Sequence, residues 1–368
     1  MEIPKQHLPY GERWRLLVTH DESTFNANDD NPYSWKKKGT QKLKSKSWGK
    51  GLMVSEFLCA AGGRLSTINK ETKTRDYATE IFKYGSGKSD EGWWDSKKML
   101  MQVLEKAIPI FERQYPGHVA VFAFDNSSGH ACKADDALVA NRMNLGPGGK
   151  QPQMHATILS DGRTQRMVFR YDDRIWESPS ILISDTLIGQ PKGMKRVLQE
   201  RGLWRDGLKK QCSAAKAKED TETETQYNAR LKLDHCEKGK DSCALRILES
   251  QLDFLAEKSL LELKITRRGH ECLFYPKFHC ELNYIEYFWG AVKRYTRENC
   301  NYTFAELEST VLAGLDSVSL CTIQRFANRS RRWIDSYING LNEKQKEFVA
   351  RQESSHRRGM GEDVIATA

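Results

Sequence analysis

The segment YPKFHCELNYIEYFWG, residues 275–290, decides how this chain is read. It begins as the tail of a short apolar strand, Cys272 to Tyr275. Pro276 ends that strand, because proline has no N–H to donate to a ladder. Asn283 has the chemistry of a helix N-cap, and Glu286 stands three residues on. Ile285, Phe288, Trp289 and Val292 then recur at helical spacing. The pattern predicts a helix that starts just past a strand, with Glu286 in its first turn. A carboxylate there is either the reciprocal half of a capping box or a site group.

Two other segments bear on that choice. RLLVTHDESTF, residues 15–25, reads as an apolar strand running into Asp21. VAVFAFDNSSGH, residues 119–130, reads as a second strand, running into Asp125 and followed by Asn126 and His130. Two strands ending in aspartate and a helix starting with glutamate can bring three carboxylates to one end of a sheet. Hard divalent cations such as Mg²⁺ favour that all-oxygen donor set. Glu22 should face away from Asp21, because side chains alternate along a strand. Glu281 is the rival for the third acid, and it precedes the helix.

Together the three segments resemble the catalytic segments of mariner-type DDE transposases. The likeness covers Arg15 to Ser66, Asp95 to Arg142 and Gly269 to Arg297, in family order. It implies an α/β chain with a ribonuclease-H-like mixed sheet, flanking helices, and Asp21, Asp125 and Glu286 as catalytic metal ligands. It further implies two Mg²⁺ or Mn²⁺ ions, roughly 3.5–4 Å apart, serving strand nicking and 3′-end transfer. Asn126 and His130 would support the acids. This chain has Tyr284 where the family usually has proline. Its second and third acids stand 161 positions apart rather than a few dozen. A large insertion must therefore loop out, which closure entropy tolerates because it grows slowly with length. The family also carries an N-terminal DNA-reading domain, whereas this sequence begins almost at the first strand. A fragment, a derivative without sequence-specific binding, and a chain addressed by a partner all fit that start. The alternative function is a transposase-derived DNA-binding protein that no longer cuts.

The 368 residues carry a net charge of +9 and 10% aromatic side chains, compatible with a polyanionic partner such as DNA. A homodimer on DNA is the expected assembly. No apolar run approaches the ~20 residues needed to cross a bilayer. The first residues, MEIPKQH, lack a signal-peptide core. Nine cysteines, an odd number, suit reduced thiols in the nucleus or cytoplasm better than a disulfide framework. Cys212, His235, Cys236 and Cys243 offer donors for a structural zinc, without the C-x-x-C spacing that would mark one. Cys272, His279 and Cys280 form a second such group beside the opening segment, with packing the favoured reading.

Residues 1–145 read as the first part of the core and 146–253 as an inserted module. Residues 254–300 resume the core, and 301–368 form a C-terminal helical extension with a disordered tail. Asp95 is a good N-cap for a helix to about Gln114 that Pro109 kinks. Asp135 and Asp136 predict another helix through Arg142. Within the insertion, residues 165–169 and 181–183 read as short strands and 191–198 as a basic helix. Lys36, Lys37 and Lys38 stand among aromatics and read equally as a phosphate-gripping loop or a solvated surface. Lys293, Arg294, Arg329 and Arg332 lie on C-terminal helices. They read as a track for a DNA backbone or as the wet face of a helical cap, and their one-sided charge favours DNA.

Overall fold

Strand β1, Arg15–Asn26, is the axis of the fold. In the computed structural model, residues 11–30, 47–84, 94–127, 129–211, 223, 242–299 and 301–351 are described. β1 pairs antiparallel with β2, Gly51–Cys59, and parallel with β7, Val119–Phe124. The parallel strand β10, Glu271–Phe274, lies beyond β7. On the other side, β3 (Gly63–Arg64) and β6 (Glu80–Tyr84) both pair antiparallel with β2. These make a six-stranded mixed sheet. The pair β4, Ser66–Ile68, and β5, Arg75–Tyr77, stands outside it.

Alternation along β1 sorts its side chains between two cores. Val18 packs with Phe57, Phe122 and Phe124 against a helical layer carrying Met99, Val103 and Phe111. That layer is α1, Ser96–Met101, a π-type turn over Gln102–Ala107, and α2, Ile108–Gln114. Asp95 caps it, accepting from the amides of Lys97 and Lys98, both at 2.9 Å. The winding widens just before Pro109, whose missing N–H breaks the usual ladder. Helix α6, Leu260–Arg267, adds Leu261 and Ile265 to this core.

On the opposite face, Phe25, Leu52, Val54 and Leu58 pack against helix α7, Ile285–Glu298. Its buried residues Ile285, Phe288, Trp289 and Val292 follow the spacing read from the sequence. Each such side chain, fully buried, contributes about 1.5–3 kcal/mol. Helices α8 (Phe304–Ser317), α9 (Leu320–Ile338) and α10 (Glu343–Arg351) complete the C-terminal part. Leu307, Val311, Leu315 and Ile323 reach the same core. A charged pair is buried there. Glu56 accepts from Arg64 Nε and Thr79 Oγ1, both at 2.8 Å. Arg64 also contacts Asp316 and lies over the Tyr77 ring.

The chain divides into two compact units, at Cys132/Lys133 and Leu260/Leu261. The unit between those points holds α3 (Gly193–Glu200), α4 (Ala244–Glu249), α5 (Leu252–Leu255) and the hairpin β8–β9, Thr157–Ile158 with Thr164–Gln165. Met143, Met167, Met194, Leu198, Ile247 and Leu248 are in its core. The helix predicted over 135–142 is absent apart from a 3₁₀ turn at Ala140–Arg142. The Asp136 carbonyl instead accepts from the His155 amide at 2.8 Å. The strands predicted at 165–169 and 181–183 are reduced to Gln165 and two isolated bridges, Val168 with Pro191 and Arg174 with Leu182. Among the described residues, no helix is long and apolar enough to cross a membrane.

Candidate carboxylate site

Asp21 does not end its strand, contrary to the sequence reading. β1 continues to Asn26 because β2 goes on pairing with it, Asn26 opposite Gly51. Its parallel neighbour β7 stops at Phe124. Asp21 therefore lies just past the last parallel pair on β1, Thr19 with Ala123. Asp125 follows directly on β7. Both acids stand at the carboxyl end of the parallel ladder.

Glu286 reaches that end by a route different from the predicted capping box. The residue preceding α7 is Tyr284, in helical conformation, and no side chain caps the helix. Asn283 is buried and turned to β1. Its Nδ2 donates to the His20 carbonyl at 3.2 Å, and its Oδ1 accepts from Thr19 Oγ1. Tyr284, also buried, donates its hydroxyl to the Leu58 carbonyl at 2.8 Å. Both residues before the helix thus bind strands, and its start is fixed on the sheet instead of being capped. Glu286 then projects from the first turn with part of its surface in solvent and part turned into the site.

The three carboxyl groups are electrostatically coupled. Burial pushes Asp21 up to about 8, with Glu286, Glu22 and Asp125 adding repulsion. Burial also raises Glu286; Lys293 opposes the rise and Asp125 adds to it. Asp125 moves down, because hydrogen bonding and charge from His130 outweigh its burial. The site thus gathers more negative charge than its own cations neutralise, in a setting that keeps one acid protonated near neutrality.

Glu22, on the opposite face of β1 from Asp21, accepts from Trp94 Nε1 at 2.6 Å and lies 3.4 Å from His130 Nε2. His130 is buried. Its Nδ1 faces Asp125, at 3.2 Å from the main-chain carbonyl and in ion-pair contact with the carboxylate. Burial works against its charge, but Asp125 and Glu22 outweigh that and raise it to about 10. His130 is therefore an imidazolium tying Glu22 to Asp125. His20 is its opposite. Burial lowers it to about 4, so it is neutral.

Among the described residues, one set of three metal-type donors lies within 4.8 Å: His20, Glu22 and His130. Its hydrogen bonds fix where the His20 proton sits. Gln102 Nε2 donates to the carbonyls of Ala78 and Ser55, which leaves Oε1 to accept from Ser55 Oγ at 2.6 Å. Ser55 must then accept from His20 Nε2 at 2.7 Å, so that nitrogen carries the proton. His20 is thus neutral with its buried Nδ1 lone pair unpartnered, and His130 is held between Glu22 and Asp125, so the cluster backs the carboxylates. Asp21, Asp125 and Glu286 offer the all-oxygen, anionic donor set that suits Mg²⁺ or Mn²⁺.

Of the other expected contributors, Lys36, Lys37 and Lys38 lie outside the described residues. Lys293 stands by Glu286 with its amine 5.9 Å from the Phe25 ring. Arg294 and Asn126 are exposed. Arg329 lies over the Tyr287 ring at 4.9 Å, which ties α9 to α7, and Arg332 is half-buried. Glu281 is held away from the acids' role. It accepts from His279 Nδ1 at 2.8 Å and Tyr337 OH at 2.7 Å. Of the suggested zinc donors, Cys212, His235 and Cys236 are outside the described residues, and Cys243 is buried at the start of α4. Cys272, His279 and Cys280 form no donor cluster within 4.8 Å among the described residues. The sequence reading missed Thr19, Asn283 as a clamp, and the His20–Ser55–Gln102 chain. Only the polar Gln102 on an otherwise apolar helix face hinted at the last.

No family model matches the chain, and no curated protein matches it. Among solved structures, the mariner Mos1 paired end complex with Mg is 17% identical over 31% of this chain and 30% of that one, with a TM-score of 0.23. The Mos1 transposase paired-end complex with left transposon end is 18% identical over 32% and 30%, with a TM-score of 0.22. The Mos1 Strand Transfer Complex is 19% identical over 31% and 29%, with a TM-score of 0.21. The chain spans under a third of the length of each of these structures' chains.

Proposed function

We propose that this chain is a metal-dependent enzyme acting on DNA phosphodiesters, a DDE-type endonuclease and strand transferase on a ribonuclease-H-like core. One observation carries the reading. Asp21, Asp125 and Glu286 come from two neighbouring parallel strands and a helix pinned to one of them, and their charges act on one another. The sheet order β10-β7-β1-β2, with β1 antiparallel to β2 and parallel to β7, supports the core assignment.

In this reading the three carboxylates hold two Mg²⁺ or Mn²⁺ ions. Bound there, the ions would supply the positive charge that activates a water or a DNA 3′-hydroxyl and stabilises the leaving oxygen. The chain's own part is placement. Thr19 and Asn283 set the start of α7, and with it Glu286, against β1. His130 fixes Asp125 from behind. Asp21, kept protonated near neutrality by burial and then by the repulsion of its neighbours, would have to give up that proton to serve as a ligand.

The test is nicking of supercoiled DNA and strand transfer of end-containing DNA with Mg²⁺ or Mn²⁺, comparing the parent with Asp125→Asn. The reading expects activity in the parent alone. Equal activity in both, or none in either, rejects it.

A further inference from the structure

Phe278 has almost no protein neighbours. It is 99% exposed, and its backbone sits at φ +67°, a left-handed conformation uncommon for an aromatic residue. A ring flung into water from a disfavoured backbone is doubly unfavourable, so the fold around it must hold it there. The mounting is visible on both sides. Before Phe278, the Tyr275 amide donates to the Phe124 carbonyl at 2.8 Å, and the Tyr275 hydroxyl lies 3.3 Å from Thr19 Oγ1. After it, His279 is bound to Glu281, whose carbonyl accepts from Ser330 Oγ at 2.9 Å. Asn283 then returns to the same Thr19 hydroxyl. The loop carrying Phe278 is thus closed at its base by Thr19, two positions before Asp21.

We infer that Phe278 is a stacking platform for an unpaired nucleobase of the strand whose phosphodiester enters the carboxylate site. The inference rests on the function proposed above. A ring offered to a protein partner usually belongs to a wider apolar patch. Phe278 is flanked instead by exposed Pro276 and Lys277 and the half-buried His279. An exposed aromatic face with a cation next to it in the chain suits single-stranded nucleic acid held without reading its sequence.

The experiment uses the full chain carrying Asp125→Asn, so that substrate is bound but not cut. Binding of a fluorescein-labelled single-stranded oligonucleotide is compared with and without Phe278→Ala, with melting temperature as the control for folding. A loss of about tenfold or more is expected. Phe278→Trp should retain binding, and its indole emission should be quenched by the oligonucleotide but not by an abasic phosphodiester chain of equal length. Equal affinity for the parent and Phe278→Ala, or equal quenching by the abasic chain, overturns the inference. So does a parent dimer in sedimentation that Phe278→Ala dissolves, which would mark the ring as a self-association contact. Quenching by bases without metal-dependent cleavage by the parent would sink the proposed chemistry and leave the stacking role standing. Cleavage without base-dependent quenching would do the reverse.

Discussion

Thr19 and Asn283 are hydrogen-bonded across 264 positions of chain. Thr19 lies on β1 two residues before one carboxylate, and Asn283 lies three residues before another. The contact sets the spacing of Asp21 and Glu286 more directly than any feature of helix α7 itself. Asn283→Ala takes from the buried Thr19 hydroxyl its acceptor, leaving it only Tyr275, and removes the amide that donates to the His20 carbonyl, a loss of about 1–3 kcal/mol. Denaturant unfolding should register that loss. Metal-dependent activity should fall further than stability does, because α7 keeps its apolar packing while Glu286 loses its register. A variant as active and as stable as the parent would show the contact to be incidental.

Divalent cations should stabilise the chain, and more so at pH 8 than at pH 5.5. Without metal, Asp21 is raised from 3.8 to about 8. An acid raised in this way adds stability at low pH and loses it as pH climbs through the folded value. A cation binding the ionised form reverses that loss and releases a proton. Melting curves in Mn²⁺ and in EDTA at the two pH values measure the effect. Asp21→Asn should abolish the pH dependence of the Mn²⁺ shift; an undiminished shift in that variant would place the cation elsewhere.

His130 gives the opposite side of the pH profile. Its folded value is raised from 6.5 to about 10 by Asp125 and Glu22. A histidine raised on folding contributes fully below its unfolded value and loses that contribution as pH rises through the folded one. The parent in EDTA should therefore lose more stability between pH 6.5 and 10 than His130→Gln does. Parallel curves over that window would mean the imidazolium is not held between the two carboxylates.

Glu281 and Glu286 should respond differently to amidation. Burial works upward on Glu281, but hydrogen bonds from His279 and Tyr337 outweigh it and keep it ionised. Glu281→Gln removes charge from a tie to α9 and should cost about 1–2 kcal/mol of stability with activity within a few-fold of the parent. Glu286→Gln should leave the melting temperature close to the parent's and abolish metal-dependent cleavage. The reverse pattern would exchange their roles.

Arg64→Met tests the buried charge beneath the sheet. Glu56 is fully buried, and Arg64 is its cationic partner there. Removing one member of a buried pair costs about 3–5 kcal/mol, because the other charge is left without compensation. The double variant Arg64→Met, Glu56→Leu should recover much of that, read by thermal unfolding. A double variant as unstable as the single one would point to packing in place of charge.

Elements built from local contacts were the legible ones. The apolar runs of β1, β7 and β10, the Asp95 cap and the apolar stripe of α7 each depend on neighbours within a few residues. What escaped depends on partners far along the chain. Asp21 looked like a strand end because its own sequence cannot reveal that β2 continues alongside. Asn283 has the right spacing for a capping box, yet a buried amide takes whichever partners surround it, and those proved to be on β1. His20 reads as an ordinary strand residue until Ser55 and Gln102 fix its proton. Asp135 and Asp136 suited a helix start, but tertiary pairing with the 155 region claimed the backbone.

β7 and β10 lie side by side and point the same way, so the chain leaving one must return the full length of the sheet before entering the other. That return journey is obligatory whether it is short or long. Its two endpoints are stapled by the ladder between Val121 and Glu271 and onward to Phe124 and Phe274. Whatever is threaded into the excursion can therefore grow, shrink or be exchanged in evolution while Glu286 stays at home.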